Sequence, residues 1–212
     1  MNSPRIRVIK VGGSLFDLDD LPTRLSAWLR QQDAAQNVLI AGGGEWADAV
    51  RAADQRFRLG EEISHDLCLE SLRVTARLLH FLLSRDSESR PEFVANMNAL
   101  RQCLSCNKSD YSTIVFDVGN ELLQTAGESP GTQLPRHWSV TTDSIAAYFA
   151  AQLGACELVL LKSASFEGGE SRGAAAQFGF VDGYFPTASA PIPQVRVVNF
   201  RELNFPTKIL TS

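Results

Sequence analysis

The sequence predicts an α/β fold, a three-layer α/β/α sandwich with a mostly parallel central sheet. Short apolar segments rich in β-branched residues alternate along the chain with segments whose apolar residues recur at helical spacing. Residues 157–161 (ELVLL) are apolar almost throughout, which is typical of a parallel strand covered on both faces. The 212 residues suffice for one domain with its own core, so we expect a single domain over residues 1–212.

Two predicted strands in the first half of the chain each run into a glycine turn. Residues 5–11 (RIRVIKV) end at a GGS turn, residues 12–14, and residues 37–41 (NVLIA) end at a GGG turn, residues 42–44. Since the carboxyl ends of parallel strands lie at one edge of a sheet, we expect both turns to meet in one crevice.

Helices and further strands follow in alternation. A helix is expected near Leu21, where Asp19 and Asp20 precede a proline at position 22, and another directly after the second glycine turn. Residues 63–83 carry an apolar face broad enough to predict a long helix buried on most of its sides.

The second half of the chain has a less even pattern. Residues 93–104 fit either a helix or a strand, residues 113–117 (TIVFD) predict a strand, and residues 119–138 predict mainly loop. Thr142 or Asp143 then begins a helix, and residues 194–198 (QVRVV) predict a last strand after the ELVLL strand.

Composition excludes several classes of function. The net charge of −4 and the scattered basic residues argue against a protein that binds nucleic acid through its backbone. No segment has the roughly 18 uncharged apolar residues of a membrane span, and the first residues lack the apolar region of a secretory signal. We therefore expect a cytoplasmic protein without a membrane partner.

The cysteines predict reduced thiols and no metal site. Cys103 and Cys106 form a lone CxxC pair, whereas a structural zinc site needs a second pair or histidines at ligand spacing. Cys68 and Cys156 stand alone in the sequence. Reduced thiols are the usual state in a reducing compartment.

A glycine turn after a strand is suited to bind phosphate or carboxylate, because it exposes backbone N–H groups at the start of a helix. A P-loop is excluded, since no window supplies GxxxxGK[ST]. Residues 42–47 (GGGEWA) satisfy a dinucleotide fingerprint, but the acidic residue expected about 20 positions later falls at Glu61, Glu62 or Asp66, in the long helical segment rather than at a strand end. A kinase without a P-loop is the third interpretation, and Lys10, two residues before the first turn, supplies the cation that it needs.

Four segments, in this order, resemble the amino-acid kinase family, which includes acetylglutamate, aspartate, glutamate-5, uridylate and isopentenyl phosphate kinases. They are residues 8–14 (VIKVGGS), 38–44 (VLIAGGG), 139–147 (SVTTDSIAA) and 158–163 (LVLLKS). The resemblance implies the amino-acid kinase fold, with an acceptor-binding half over about residues 1–140 and a nucleotide-binding half over about residues 141–212. It also implies ATP and Mg²⁺ as cofactors and a small-molecule acceptor.

The resemblance further implies roles for individual residues. Lys10 would contact the transferring phosphate, Asp143 would organise the catalytic lysine, and the alternative interpretation of Asp143 is a helix-capping acid. The implied catalytic residues are Lys10, Asp143 and Lys162; the cofactor-binding residues are Gly12, Gly13, Ser14, Lys162, Ser163, Phe180 and Asp182; the substrate-binding residues are Gly42, Gly43, Gly44, Ser139 and Thr141.

The chain departs from the family pattern at two points. The acidic pair that usually follows the ELVLL strand is absent, and residues 162–165 (KSAS) stand in its place. Many members place a second lysine in a glycine-rich segment that corresponds to residues 170–190, and this chain has Arg172 there but no lysine. Lys162 is the candidate replacement. The alternative is a nucleotide-binding protein of the same fold that has lost catalysis.

One subgroup of the family resembles the chain further, namely the small kinases of methanofuran and tetrahydromethanopterin C1 metabolism. The similarity lies in the opening VIKVGGSL, in His65 at the start of the long helix, and in residues 179–186 (GFVDGYFP). It implies an aminomethylfuran phosphate as the acceptor. Family members often form homodimers, and the apolar face of residues 63–83 is interpreted either as core or as a homodimer interface.

Overall fold

The computed structural model of the protein describes residues 5–86, 90–106, 111–125, 134–135 and 140–212. In this part of the chain, seven strands form one sheet in the order β3-β4-β2-β1-β5-β6-β7. The strands are β1 (Ile6–Val11), β2 (Gln36–Ala41), β3 (Glu92–Val94), β4 (Thr113–Phe116), β5 (Glu157–Lys162), β6 (Gln194–Asn199) and β7 (Thr207–Leu210).

Helices connect the strands and cover both faces of the sheet. They are α1 (Leu21–Arg30), α2 (Gly44–Phe57), α3 (Glu61–Asp86), α4 (Met97–Cys106), α5 (Val118–Gln124), α6 (Thr142–Gln152), α7 (Arg172–Gln177) and α8 (Phe185–Ser189), and a 3-10 turn spans Gly13–Asp17. The strands β1 to β6 pair in parallel and only β7 is antiparallel, to β6. The predicted α/β sandwich with a mostly parallel sheet is therefore confirmed.

Side-chain alternation along β1 divides its residues between two cores. Val8 packs in the core that contains α6, while Ile9 and Val11 pack in the core that contains α1. Because successive side chains of a strand point to opposite faces, Lys10 shares the face of Val8 and is directed toward α6. In β5, Leu158 and Leu160 pack in the α6 core, so Lys162 is directed to the same side.

The long helix α3 is less buried than the sequence predicts. Leu72, Leu79 and other residues on one side are buried, but Leu67, Val74 and Phe81 are 41, 46 and 56% exposed. The prediction of burial on most sides is wrong, because α3 packs on α1, α2, α5 and the sheet through one face only. The homodimer through this helix stays a prediction.

In two segments, the secondary structure differs from what the sequence pattern indicated. The ambiguous residues 93–104 are shared between strand β3 and helix α4, which explains the mixed pattern. The segment 119–138, expected to be mainly loop, begins within helix α5, whose start is capped by the Asp117 carboxylate accepting from Asn120 N at 2.9 Å. Residues 126–133 and 136–139 of that segment lie outside the described residues.

All four cysteines are free thiols. Cys103 Sγ donates to a Glu92 carboxylate oxygen at 3.0 Å. Burial, followed by this hydrogen bond, raises the pKa of Cys103 to about 12, so its thiol is poorly nucleophilic at neutral pH. Across the described ranges, no helix is long and apolar enough to cross a bilayer.

Candidate active site

Lys10, Asp143 and Lys162 meet above the carboxyl ends of two adjacent strands. Lys10 lies on β1 opposite Leu160 of β5, and Lys162 follows two residues later on the same face. Asp143, in the first turn of α6, lies between the two ammonium groups. Its Oδ1 is 2.9 Å from Lys10 Nζ, and its Oδ2 is 2.6 Å from Lys162 Nζ.

The charges of this triad are fixed by burial and pairing. Burial on its own would raise the pKa of Asp143, but the charges of Lys10 and Lys162 outweigh it and lower the pKa to about 2. Burial lowers the pKa of Lys162, an effect that Asp143 opposes and Lys10 reinforces. Asp143 is therefore an ionised carboxylate at neutral pH and holds two cations together that would otherwise repel each other.

Two further contacts, both with Phe180, fix the position of Lys162. Its Nζ donates to the Phe180 carbonyl oxygen at 2.8 Å, and it lies 5.0 Å from the centroid of the Phe180 ring. The structure thus brings Phe180, a predicted nucleotide-binding residue, to the triad. Arg172, the cation of the segment where many family members have a lysine, is 3% exposed and donates to the Ser189 and Ile192 carbonyls instead.

The two glycine turns are in direct contact with each other. A Cβ on Gly13 would lie 2.2 Å from Gly44 N, a distance that no packing tolerates. Gly44 itself has φ +55°, in the left-handed region that side chains disfavour. The sequence prediction that both turns share one crevice is met by backbone contact, and only glycine allows that approach.

The two turns continue into different elements. The second turn opens directly into the 14-residue helix α2, whereas the first continues into the 3-10 turn Gly13–Asp17 before α1 begins. Ser14 Oγ of the first turn donates to Ser163 Oγ, just after β5, at 3.1 Å. Gly12 N donates to Leu161 O at 2.9 Å, which ties this turn to the same strand end.

A cavity of about 250 Å³ lies beside the triad and the glycine turns. Its charged and polar lining residues include Lys10, Asp48, Arg51, His65 and Thr141. Its apolar lining residues include Leu69, Leu72, Val140 and Ile145, and the others are Gly13, Ser14, Gly42, Gly43, Gly44, Ala47, Cys68 and Thr142. The predicted acceptor residues Gly42, Gly43, Gly44 and Thr141 all line it, and Ser139 lies outside the described residues.

Sequence reasoning missed two residues that line this cavity, Arg51 and Cys68. Arg51 of α2 pairs with Asp48 at 2.5 Å, and Cys68 of α3 lies one turn after His65. In the sequence, a polar residue on an amphipathic helix looks like part of a solvent-exposed face. The one sequence feature that indicates a role in the site is that Arg51 follows Gly44 by about two helical turns, on the helix that starts at the second glycine turn.

A second cavity, of about 210 Å³, lies beyond the carboxyl ends of β5 and β6. Ser165, Phe166, Asn199 and Lys208 line it with neighbouring residues. Lys208 Nζ donates to the Phe166 carbonyl at 3.2 Å and lies 5.3 Å from the Phe166 ring centroid. This cavity lies in the half of the chain where the sequence predicts the nucleotide.

Asp182, another predicted nucleotide-binding residue, contacts the start of α6. Its Oδ2 accepts from Thr141 Oγ1 at 2.7 Å and from the backbone N–H groups of Thr141 and Ser144, each at 3.1 Å. Its Oδ1 accepts from Ser144 Oγ at 2.5 Å and from Tyr184 N at 3.1 Å. The carboxylate is thus engaged by the chain itself.

Similar proteins were found by sequence and by structure. Among curated proteins, the chain is similar to the (5-(aminomethyl)furan-3-yl)methyl phosphate kinase of Methanocaldococcus jannaschii, with 23% identity over 164 residues. The match covers 73% of this chain and 64% of that kinase, so the chain spans less than two thirds of the relative's length.

Solved structures of UMP kinases share the fold. The enzyme from Ureaplasma parvum aligns with a TM-score of 0.71 at 12% identity, over 100% of both chains. The enzyme from Bacillus anthracis aligns with a TM-score of 0.62 at 12% identity, over 95% of this chain and 89% of that one. A sequence profile described as the amino acid kinase family matches residues 5–165, more than half of the sequence. The order of the motifs, the sheet and this match agree, and the chain belongs to the amino acid kinase family.

Proposed function

We propose that the protein is an ATP-dependent kinase that transfers the γ-phosphoryl group to a small anionic acceptor. The observation that carries the proposal is the triad, in which Asp143 holds Lys10 and Lys162 side by side above the glycine turns. Phosphoryl transfer needs positioning and stabilisation of the charge on the transferring group more than it needs covalent chemistry. The ammonium groups of buried Lys10 and partly buried Lys162, together with backbone N–H groups of the glycine turns, would supply that stabilisation.

Lys162 takes the part of the second lysine in this proposal. It comes from the end of β5 rather than from the glycine-rich segment, but it reaches the same carboxylate as Lys10. Lys10 faces the acceptor cavity and Lys162 faces Phe180, so the two cations flank the position where the phosphoryl group would pass. Each cation offsets charge on one side of the transfer.

Asp143 acts in the proposal by holding the lysines and not as a base. Its pKa of about 2 makes it a very weak proton acceptor at neutral pH. An anionic acceptor oxygen needs no base, because a phosphate or carboxylate oxygen is already deprotonated. The site therefore matches a phosphate or carboxylate acceptor better than an alcohol.

The nucleotide is proposed to lie over the C-terminal half of the chain. Gly13 and Ser14 would face its phosphates, with Ser163 beside them, and Phe180 and the cavity beyond β5 and β6 would face the rest of the molecule. Gly12, which the family resemblance also assigns to the nucleotide, already donates its N–H to Leu161 O and is not a free donor. Donors from a glycine turn and hydroxyls are the groups that bind phosphate oxygens.

Mg²⁺ is proposed to be held mainly by the nucleotide. Among the described residues, no three His, Cys, Asp or Glu side chains are grouped to hold a metal ion, and Asp143 is already paired with two lysines. Such a site fits Mg²⁺, which commonly keeps several waters and binds through substrate phosphates. When bound, the ion would neutralise part of the negative charge of the nucleotide phosphates.

The acceptor is proposed to be a phosphate monoester with a small flat apolar body. Lys10, Arg51 and His65 provide the polar wall for a phosphate, and Leu69, Leu72 and Ile145 provide the apolar wall. A volume of about 250 Å³ limits the acceptor to a small molecule. An aminomethylfuran phosphate, the substrate in the name of the Methanocaldococcus jannaschii relative, combines these two features.

The proposal is tested by turnover with purified protein. ATP-Mg and a panel of phosphorylated acceptors (aminomethylfuran phosphate, UMP, isopentenyl phosphate) and carboxylated acceptors (aspartate, acetylglutamate) are mixed with the protein. ADP is followed by a coupled assay and the product by phosphorus NMR. We expect a diphosphate product from at least one phosphorylated acceptor. Clear calorimetric ATP binding without turnover across the panel would favour a nucleotide-binding protein that has lost catalysis, and absence of ATP binding would contradict both functions.

A further inference from the structure

The segment that carries Asp182 lies between the start of α6 and the Lys162 side chain. Four of the five hydrogen bonds to the Asp182 carboxylate come from Thr141 and Ser144, which flank Asp143 on both sides. The fifth comes from Tyr184 N in its own turn. Asp182 follows Thr141 by 41 residues in the chain. Its carboxylate therefore accepts hydrogen bonds at the N-terminus of α6, where backbone N–H groups have no partner within the helix.

These bonds continue to Asp143 through Thr141. The Thr141 hydroxyl donates to Asp182 Oδ2 at 2.7 Å and accepts from Asp143 N at 3.3 Å. The backbone of Asp143 is thus fixed by a hydroxyl that Asp182 orients. The direction of its side chain, and with it the position of the carboxylate between the lysines, depends on this turn.

The same segment also holds Lys162. Phe180, two residues before Asp182, accepts from Lys162 Nζ at 2.8 Å. Three elements therefore converge: the start of α6, the end of β5 and the segment 180–182. The contact between Asp143 and Lys162 at 2.6 Å is supported on both sides by this one segment.

We infer that Asp182 is a positioning residue for phosphoryl transfer, which aligns Asp143 between Lys10 and Lys162, and not a ligand of the nucleotide. The inference rests on the proposed function. With four of its hydrogen bonds made to α6, the carboxylate is committed to the chain, and a negative group there would repel the phosphates of a nucleotide. Its negative charge also complements the partial positive charge at the start of α6.

The test is Asp182→Asn, which keeps the shape of the side chain and turns one acceptor atom into a donor that faces backbone donors. We expect kcat to fall about 10- to 100-fold, since a shift of about 1 Å in a catalytic group has effects of this size, while KM for ATP changes less than about 3-fold. The matched control is Asp117→Asn. Asp117 also caps a helix, accepting from Asn120 N, but it follows β4, two strands from β1. This variant should lose stability and keep kcat.

A double-mutant cycle separates positioning from direct binding. If Asp182 acts through Asp143, then Asp182→Asn should cause no further loss of kcat in an Asp143→Asn protein. A tenfold weaker ATP affinity in calorimetry, equal in both backgrounds, would overturn the inference in favour of a nucleotide ligand. An unchanged kcat in Asp182→Asn would also overturn it. Asp182→Glu, which keeps the charge but displaces the carboxylate, replaces Asp182→Asn if that variant fails to fold, with the same expected split between kcat and KM.

A structural readout keeps the inference testable if the proposed kinase function fails. Amide hydrogen exchange at Ser144 reports the bond to Asp182 directly. Exchange should be at least about tenfold faster in Asp182→Asn and unchanged in Asp117→Asn. If a wild-type protein without turnover shows the same Ser144 exchange rate as Asp182→Asn, the positioning role is wrong as well. If the exchange rates differ as expected, only the proposed function has failed.

Discussion

Lys162 Nζ and Asp143 Oδ2 lie 2.6 Å apart, and the same carboxylate binds Lys10 through its other oxygen. The two lysines come from the neighbouring strands β1 and β5. Asp143 comes from helix α6, which precedes β5 in the chain. In the proposed function, Lys162 takes the part of the lysine that many family members carry in the segment corresponding to residues 170–190. This pair is the basis of the first prediction.

Replacing Lys162 by alanine should reduce kcat about as strongly as replacing Lys10 by alanine. Each variant should lose roughly 2–4 kcal/mol of transition-state stabilisation, by analogy with the loss of one preorganised donor. The measurement is kcat/KM with ATP and the best acceptor of the panel. Arg56→Ala, which removes an exposed cation from the last turn of α2, is the control and should keep full activity. Equal rates for wild type and Lys162→Ala would contradict the assignment of Lys162.

The folded protein should lose stability in acid through Asp143. Its pKa is lowered to about 2 in the folded state, against roughly 3.9 in an unfolded chain. The stabilisation, roughly 2–3 kcal/mol, is fully present above the unfolded pKa and is lost as pH falls through the folded pKa. Urea unfolding measured between pH 7 and pH 2 should show this loss.

Asp143→Asn is the matching variant for the acid experiment. It should lack this part of the acid dependence and be less stable at pH 7 by about 3–5 kcal/mol, because two buried cations lose their partner. Asp17→Asn removes a half-exposed partner of Arg201 and should cost less than about 1 kcal/mol. Identical acid profiles for wild type and Asp143→Asn would show that the buried carboxylate is not ionised as inferred.

Gly13→Ala should separate the two glycine turns. The new Cβ would lie 2.2 Å from Gly44 N, so the turns must move apart. We expect a loss of at least about 1–3 kcal/mol in the free energy of unfolding and a large loss of ATP affinity, measured by urea unfolding and calorimetry. Gly173→Ala is the control, since its nearest contact is 3.8 Å and the helix should gain about 0.5–1 kcal/mol.

Arg51→Ala should weaken binding of the acceptor and leave binding of ATP unchanged. Arg51 lines the cavity beside the second turn and pairs with Asp48 on the same helix. KM for a phosphorylated acceptor should rise roughly 10- to 100-fold, as expected for the loss of a charged hydrogen bond, while KM for ATP stays unchanged. Arg56→Ala on the same helix serves as control. A rise in KM for ATP instead would place Arg51 on the nucleotide side.

The sequence predicted the features that local patterns determine. Glycines directly after β-branched strands identified both turns, and the position of Lys10 two residues before the first turn identified that lysine. Lys162 entered only as the candidate replacement for a lysine of the family pattern. Asp143 entered through the family resemblance, and its contact with both lysines required the fold. Residues 5–165 carry the family match. After residue 165, the sequence resembled one subgroup of the family only in residues 179–186.

Other features depended on tertiary neighbours and were missed for that reason. Whether an apolar residue of α3 is buried depends on the elements that pack against it, so Val74 and Phe81 look like core in sequence but face outward. The strand β7 has only four residues with half of its side chains exposed, and antiparallel edge strands of this length leave little periodic signal. Asp182 lies in a turn, where its partners on α6 leave no trace in local sequence.

The backbone contact between Gly13 and Gly44 has a consequence for engineering and for evolution. Neither Gly13 nor Gly44 can acquire a side chain without displacing the other turn, so variation must keep both of these glycines. New acceptor preferences therefore have to arise on the walls formed by α2 and α3, where Arg51, His65 and Cys68 stand on regular helices that tolerate exchange. Libraries aimed at altered selectivity should randomise those three positions and keep the two loops fixed.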